Sequence, residues 1–253
     1  MKGRLVTTTQ SVAVIGDAHR ATGLADLFAR YGFDVQVISP SEDELPALAV
    51  DLLIEVVAEE DKSDVLRAMS KAALAESILV TTTSTQSVTE LATAVSDPAQ
   101  LVGLHWGHEG IAAALVEVVA AEQTDTALVE EVGKVAERLE RGSVVVKDNP
   151  GFLVDWLFLP YLNDVVQAYD DELATADDID IAVKLGLGYR KGPFQMLEEI
   201  GVQRHLAATT AAYEATHDGR FAPPPLLCRL GTGQPAPRHA STPDPAEKEG
   251  NKA

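Results

Sequence analysis

The chain holds one cysteine among 253 residues. A single thiol excludes an internal disulfide framework and suits a reducing cytoplasm. Cys228 itself reads as a small core-facing residue, not a nucleophile. Aromatics make up only 5% of the chain, so aliphatic side chains must fill the core. No apolar run approaches the roughly 18 residues a membrane-spanning helix needs. Residues 1–10 are polar and threonine-rich, so no secretory signal is expected. Positive charge is also scarce: 20 Lys and Arg stand against 39 Asp and Glu, a formal net charge of −19. That balance argues against non-specific nucleic-acid binding and against docking on anionic membranes. It also sets a condition on any nucleotide ligand. Helix N-termini, loop amides and a few basic side chains must hold it.

What is present is alternation. Residues 11–15 form a short β-branched run ending at Gly16. A helical pattern covers 24–31, Gly32 stops it, and 34–39 reads as the next strand. Further strands are predicted over 51–57, 77–81 and 143–146, with helices over 63–75, 88–95 and 125–141. Glu59, Glu60 and Asp61 place negative charge at the start of the second helix, as its dipole favours. After Asp148-Asn149-Pro150-Gly151 the pattern turns all-helical. We therefore predict a Rossmann-like α/β domain over 11–148 and an all-α domain over 149–230. The helix over 152–169 is nearly apolar all round, which predicts burial in a core or a subunit interface. Pro160 should kink it. Thr175 caps a helix over 179–185, another follows Pro193, and a fourth covers about 203–214. Residues 231–253 are proline-rich without a large apolar side chain and read as a disordered tail.

Strand, glycine turn, helix, strand is how a dinucleotide-binding fold opens. The G-x-G-x-x-G fingerprint is altered here. Gly16 keeps the first glycine, Ala18 stands at the second and Ala21 at the third. The Ala18 methyl lies where backbone should approach a pyrophosphate. Ser39 stands where an acid should bind the ribose hydroxyls, and no arginine nearby indicates NADP. His19 and Arg20 supply the positive charge close to the turn. Two further strand-like runs carry chemistry. His105 closes Leu101-Val102-Gly103-Leu104, and Glu117 sits in the run that begins at Leu115. A carboxylate in a neighbouring strand would fix the imidazole tautomer and raise its basicity, which suits a general base. Ser84 lies in a hydroxyl-rich loop at the carboxyl end of a strand, where open α/β sheets bind ligands. Its structural alternative is a helix N-cap.

Several motifs have a specific order: Leu104-His105, Leu115-Val116-Glu117-Val118, Val146-Lys147-Asp148-Asn149-Pro150-Gly151-Phe152, Pro160-Tyr161-Leu162-Asn163, Asp178-Ile179-Asp180, Lys184-Leu185-Gly186-Leu187-Gly188-Tyr189 and Gly192-Pro193-Phe194. Together they resemble the L-3-hydroxyacyl-CoA dehydrogenase family over roughly residues 12–230. The resemblance implies an N-terminal NAD-binding domain and a helical C-terminal dimerisation domain. It implies NAD-dependent oxidation of an L-3-hydroxyacyl-CoA; we expect the chain to act on that substrate or a related 3-hydroxy acid as a cytoplasmic homodimer. It places the catalytic histidine on His105, its partner glutamate on Glu117 and the serine at the substrate's 3-oxygen on Ser84. The cofactor-binding positions become Gly16, Ala18, His19, Arg20, Ser39 and Glu59. Nothing in it implies a metal.

The departures are as specific. Two site asparagines of the family fall on His108 and Asp155, and the arginine after the second becomes Trp156. An acid at 155 would favour NAD⁺ over NADH and could pair with His108. The family's helical hairpin between the second and third strands is missing, as is its glycine- and lysine-rich C-terminal segment. An inactive relative serving as a dimeric scaffold is the alternative that these losses support. Hydrolysis by Ser84, His105 and Glu117 lacks the strained G-x-S-x-G elbow that exposes a nucleophile.

Overall fold

The run at 11–15 forms β1 (Ser11–Ile15), the centre from which the first sheet grows in both directions. It is followed by α1 (Ala18–Arg30), β2 (Asp34–Ile38), β3 (Leu52–Glu55), α2 (Lys62–Ala72), β4 (Ile78–Thr81) and α3 (Val88–Leu91). Then come β5 (Leu101–His105), β6 (Leu115–Ala120), α4 (Thr126–Arg138) and β7 (Gly142–Lys147). The computed structural model describes residues 9–40, 45–83, 86–106 and 114–233. Ser84, His108 and nearly all of the predicted tail lie outside them.

The seven strands run in the order β2-β1-β3-β4-β5-β6-β7. β1 to β5 are mutually parallel, β6 is antiparallel to β5, and β7 is parallel to β6. The order reverses at β1, which neighbours β2 on one side and β3 on the other. That is the switch point where such sheets open a crevice at their carboxyl ends. Both faces are covered, as a mostly parallel sheet requires. Val12, Val14, Leu52, Ile54, Val80 and Leu104 pack with α1 and α4. Ala13, Ile15, Leu53, Leu79, Leu101 and Val119 pack on the other face with α2 and α3. Side chains alternate along a strand, so Glu55, Thr81, His105 and Glu117 all fall on the α2/α3 face.

That face carries an ion pair the sequence reading did not find. Glu55 and Lys62 are 0% and 1% exposed, with Nζ 2.9 Å from Oε1 and 3.0 Å from Oε2. Oε1 also accepts from the Thr81 hydroxyl and the Thr82 N–H, and Oε2 from the Val57 N–H. The signal was Glu55 itself, the one polar residue in the run Leu53-Ile54-Glu55-Val56-Val57. A buried carboxylate requires a partner.

The described residues divide into two compact units between Trp156 and Leu157. The division falls inside α5 (Val154–Asp170), eight residues past the boundary expected at 148. α5 continues through Pro160. Within the chain, Leu159, Leu162, Val165 and Val166 are buried, while Leu157 is 63% exposed. The second unit adds α6 (Ala176–Leu187), α7 (Pro193–Ile200), α8 (Val202–Thr216) and α9 (Pro225–Gly231). Leu162, Val166, Phe194, Leu197, Leu227 and Leu230 form its core. Thr175 accepts from the Asp178 N–H and caps α6. Asp180 accepts from the N–H groups of Phe194 and Gln195 at the start of α7. A Cβ at Gly192 would stand 2.1 Å from the Asp180 carboxyl carbon, which explains the glycine before Pro193. Cys228 is exposed, against expectation. Leu226, Leu227 and Leu230 take the buried face of α9 and leave position 228 outside it. Among the described residues no helix is long and apolar enough to cross a membrane.

One buried polar chain in this unit responds to pH. Thr209 donates to the Phe221 carbonyl at 2.8 Å, and Asn163 Nδ2 donates to Thr209 Oγ1 at 2.7 Å. Asn163 Oδ1 then accepts from His205 Nε2 at 3.0 Å. Burial pushes the His205 ring down from 6.5 to about 4. The folded state therefore disfavours the cation, and the unfolded chain binds the proton first. His205 contributes full stability above pH 6.5 and loses it as the pH falls toward 4, by about 1.4 kcal/mol per pH unit. Denaturant melts across this window should show the slope in the native chain and its loss in His205→Gln. Parallel curves for the two proteins would contradict the assignment.

Candidate active site

His105 ends β5, and the antiparallel register sets Glu117 of β6 directly opposite it. Direct cross-strand neighbours on one face are close enough for side-chain contact. His105 Nδ1 stands 2.7 Å from Glu117 Oε2. Both residues are buried, at 4% and 1% exposure. A carboxylate only accepts, so the shared proton sits on Nδ1, and Nε2 is the ring nitrogen that Glu117 leaves unoccupied.

Glu117 has a second task. Its Oε1 accepts the N–H groups of Leu153 and Val154 at 2.8 and 3.0 Å. These are orphan donors at the start of α5, which the carboxylate caps. The loop between β7 and α5 is bent to reach it. Gly151 has φ +75° and Phe152 φ +49°, a conformation an L side chain rarely adopts. Phe152 keeps it through a 2.8 Å bond from its N–H to the Asn149 carbonyl, and its ring lies 5.0 Å from the His105 ring. The bend delivers Asp155, in the first turn of α5, to the far side of the imidazole. Asp155 Oδ2 lies 3.6 Å from His105 Nε2, an ion-pair separation and longer than a hydrogen bond. The expected partner of Asp155, His108, lies outside the described residues.

Two more residues hold the chain on either side of the start of α3. Asp148 accepts from the Ser87 hydroxyl and from the N–H groups of Val88 and Thr89, at 2.7 to 3.1 Å. Ser87, not Ser84, is the N-cap of α3. Glu59 accepts from the Thr83 hydroxyl at 2.9 Å, and its carbonyl from Gln86 Nε2 at 2.7 Å. Glu59 is thus tied to the β4–α3 loop.

The remaining cofactor positions gather at the β1–α1 turn. A Cβ on Gly16 would lie 2.6 Å from Val56 Cγ2, so bare backbone is needed where β1 passes β3. Asp17 makes no side-chain cap on α1, which leaves the first N–H groups of a 13-residue helix for another acceptor. Ala18, His19 and Arg20 are exposed there, and so is Ser39 beyond the end of β2. The turn fits the phosphates of a dinucleotide. Ser39, not a carboxylate, stands beyond the end of β2. Among the described residues no group of three or more His, Cys, Asp or Glu could hold a metal ion.

A doubly covered, mostly parallel sheet with a histidine–carboxylate pair at its carboxyl edge, followed by a helical unit, defines a class of two-part proteins with a dinucleotide-type crevice. The comparisons narrow the class. Residues 44–149 match the NAD binding domain of 3-hydroxyacyl-CoA dehydrogenase, and residues 151–240 match its C-terminal domain. The chain belongs to the 3-hydroxyacyl-CoA dehydrogenase family. It is 30% identical over 183 residues to a 3-hydroxybutyryl-CoA dehydrogenase of Clostridioides difficile, covering 72% of this chain and 65% of that one. It is 32% identical over 197 residues to the mitochondrial hydroxyacyl-coenzyme A dehydrogenase of Sus scrofa, covering 76% and 63%. The alignments therefore span a little under two thirds of these relatives' lengths. The crystal structure of an (S)-3-hydroxybutyryl-CoA dehydrogenase from Ralstonia eutropha shares the fold, with a TM-score of 0.81 at 22% identity. That match covers 88% of this chain and 94% of that one.

Proposed function

We propose that this protein is an NAD-dependent oxidoreductase that interconverts a 3-hydroxyacyl-CoA, or a related 3-hydroxy acid, and its 3-oxo counterpart. The observation that carries the reading is the buried 2.7 Å pair of His105 and Glu117 at the carboxyl edge of the sheet. His105 Nε2 exchanges a proton with the substrate's 3-oxygen, as general base in oxidation and general acid in reduction. Glu117 holds the ring in one tautomer and stabilises it when protonated. Ser84 positions the 3-oxygen. Phe152 covers one side of the imidazole with apolar surface and keeps water off the pair. The nicotinamide cofactor, when bound, supplies the hydride chemistry that no side chain offers. Gly16, Ala18, His19 and Arg20 hold its phosphates, Ser39 contacts its ribose, and Glu59 shapes the loop beside it.

The helical unit carries exposed apolar side chains on and just after α6, with Leu185 82% and Leu187 65% exposed and Ile181 and Tyr189 beside them in sequence. They support a homodimer through this unit, by α6 more than by the 152–169 helix the sequence suggested.

The cofactor is tested by titrating the full chain with NADH, by calorimetry or nicotinamide fluorescence. Binding in the micromolar range is expected. No binding up to millimolar NADH would overturn the oxidoreductase reading and favour the inactive scaffold.

A further inference from the structure

The imidazole of His105 has a carboxylate on each nitrogen. Glu117 of β6 faces Nδ1 at 2.7 Å, and Asp155 of α5 faces Nε2 at 3.6 Å. Among the described residues these are the ionisable side chains paired with His105; the remaining close ring is the uncharged Phe152. Asp155 stands in the first turn of α5, where the helix dipole favours a negative charge. With only Nδ1 protonated, the Nε2 lone pair would face an anionic oxygen across 3.6 Å of poorly solvated space. With a proton on both nitrogens, each carboxylate meets a positive ring edge, and the site's two negative charges are partly neutralised.

We propose that Asp155 is a positioning residue that keeps a proton on Nε2 of His105, so that the resting site is loaded to give a proton rather than to take one. In the reaction proposed above this is the ring state that reduction of the 3-oxo compound consumes, and an acid paired with a ring cation no longer exerts the preference for NAD⁺ expected of a lone charge at 155. The proton on Nε2 passes to the carbonyl oxygen, the carbonyl carbon takes a hydride from the reduced nicotinamide cofactor, and a hydroxyl results. The direction rests on the proposed function; the proton state does not, and it is read without cofactor or substrate.

The test is nitrogen NMR of the full chain labelled with ¹⁵N-histidine, near neutral pH, with His105 assigned by its loss in His105→Gln. The unsubstituted chain should show both His105 nitrogens in the protonated range. In Asp155→Asn, which keeps the size of the side chain, Nε2 should move to the range of a bare nitrogen while Nδ1 stays protonated. Asp155→Glu should return part of the shift. A bare Nε2 in the unsubstituted chain would overturn the proposal, whatever the variants do. So would an Asp155→Asn spectrum unchanged at Nε2. If the NMR result holds and no turnover is found, the oxidoreductase reading fails and the proton-holding role of Asp155 stands.

Discussion

Glu117→Gln should leave the fold intact and lower turnover by roughly 10²–10⁴-fold, the usual worth of a general acid–base group. The amide oxygen can still accept from the Leu153 and Val154 N–H groups, so the start of α5 stays capped. The amide NH₂, however, now faces Nδ1, which must become the acceptor. The ring's proton moves to Nε2 on a neutral imidazole. Such a ring cannot take a proton from a hydroxyl and gives one up poorly, so both directions slow. Steady-state rates in each direction, with circular dichroism as the fold control, read the effect. A loss of less than about tenfold with the fold retained would show that the carboxylate does not set the state of His105.

The second large effect concerns stability. Lys62→Met removes the cation from a carboxylate that is 0% exposed. Glu55 keeps the Thr81 hydroxyl and the Val57 and Thr82 N–H groups, but its charge is left uncompensated in the core. Breaking a buried pair on one side costs about 3–5 kcal/mol, far more than the intact pair contributes over an apolar substitute. The double variant Glu55→Gln/Lys62→Met should therefore recover much of the loss, because no buried charge remains. Denaturant melts of the three proteins give the comparison. A single-variant loss below about 1 kcal/mol would mean that Lys62 does not serve as the counter-charge.

These two residue pairs show how unevenly the fold and the site were legible. β1 was read to its ends, because a β-branched run between polar residues has few other solutions. α1 begins six residues before the apolar period does. Its first six residues, Ala18-His19-Arg20-Ala21-Thr22-Gly23, have little periodicity, and burial of Ala21 against the sheet outweighs the weak propensity. α9 was missed because Pro223-Pro224-Pro225 reads as a breaker. Pro225 instead occupies the first helical position, where a missing N–H removes no bond.

In the site, His105 and Glu117 were nameable from strand-end placement and from the resemblance, but their contact depends on the antiparallel register of β5 and β6. The Glu55–Lys62 pair required knowing that the start of α2 lies over the end of β3. Asp155 was visible as an unusual acid. Its approach to His105 was not, because Gly151 and Phe152 adopt a left-handed bend that no periodicity signals.

The most direct measurement of the central claim is NADH consumption by the full chain on addition of a short 3-oxoacyl-CoA, with His105→Gln as the blank. The account predicts saturable oxidation of NADH that the blank lacks. NADH consumption no faster than the blank, in a protein shown to bind NADH, would contradict the assignment of His105 as the proton carrier of a hydroxyacyl oxidoreductase.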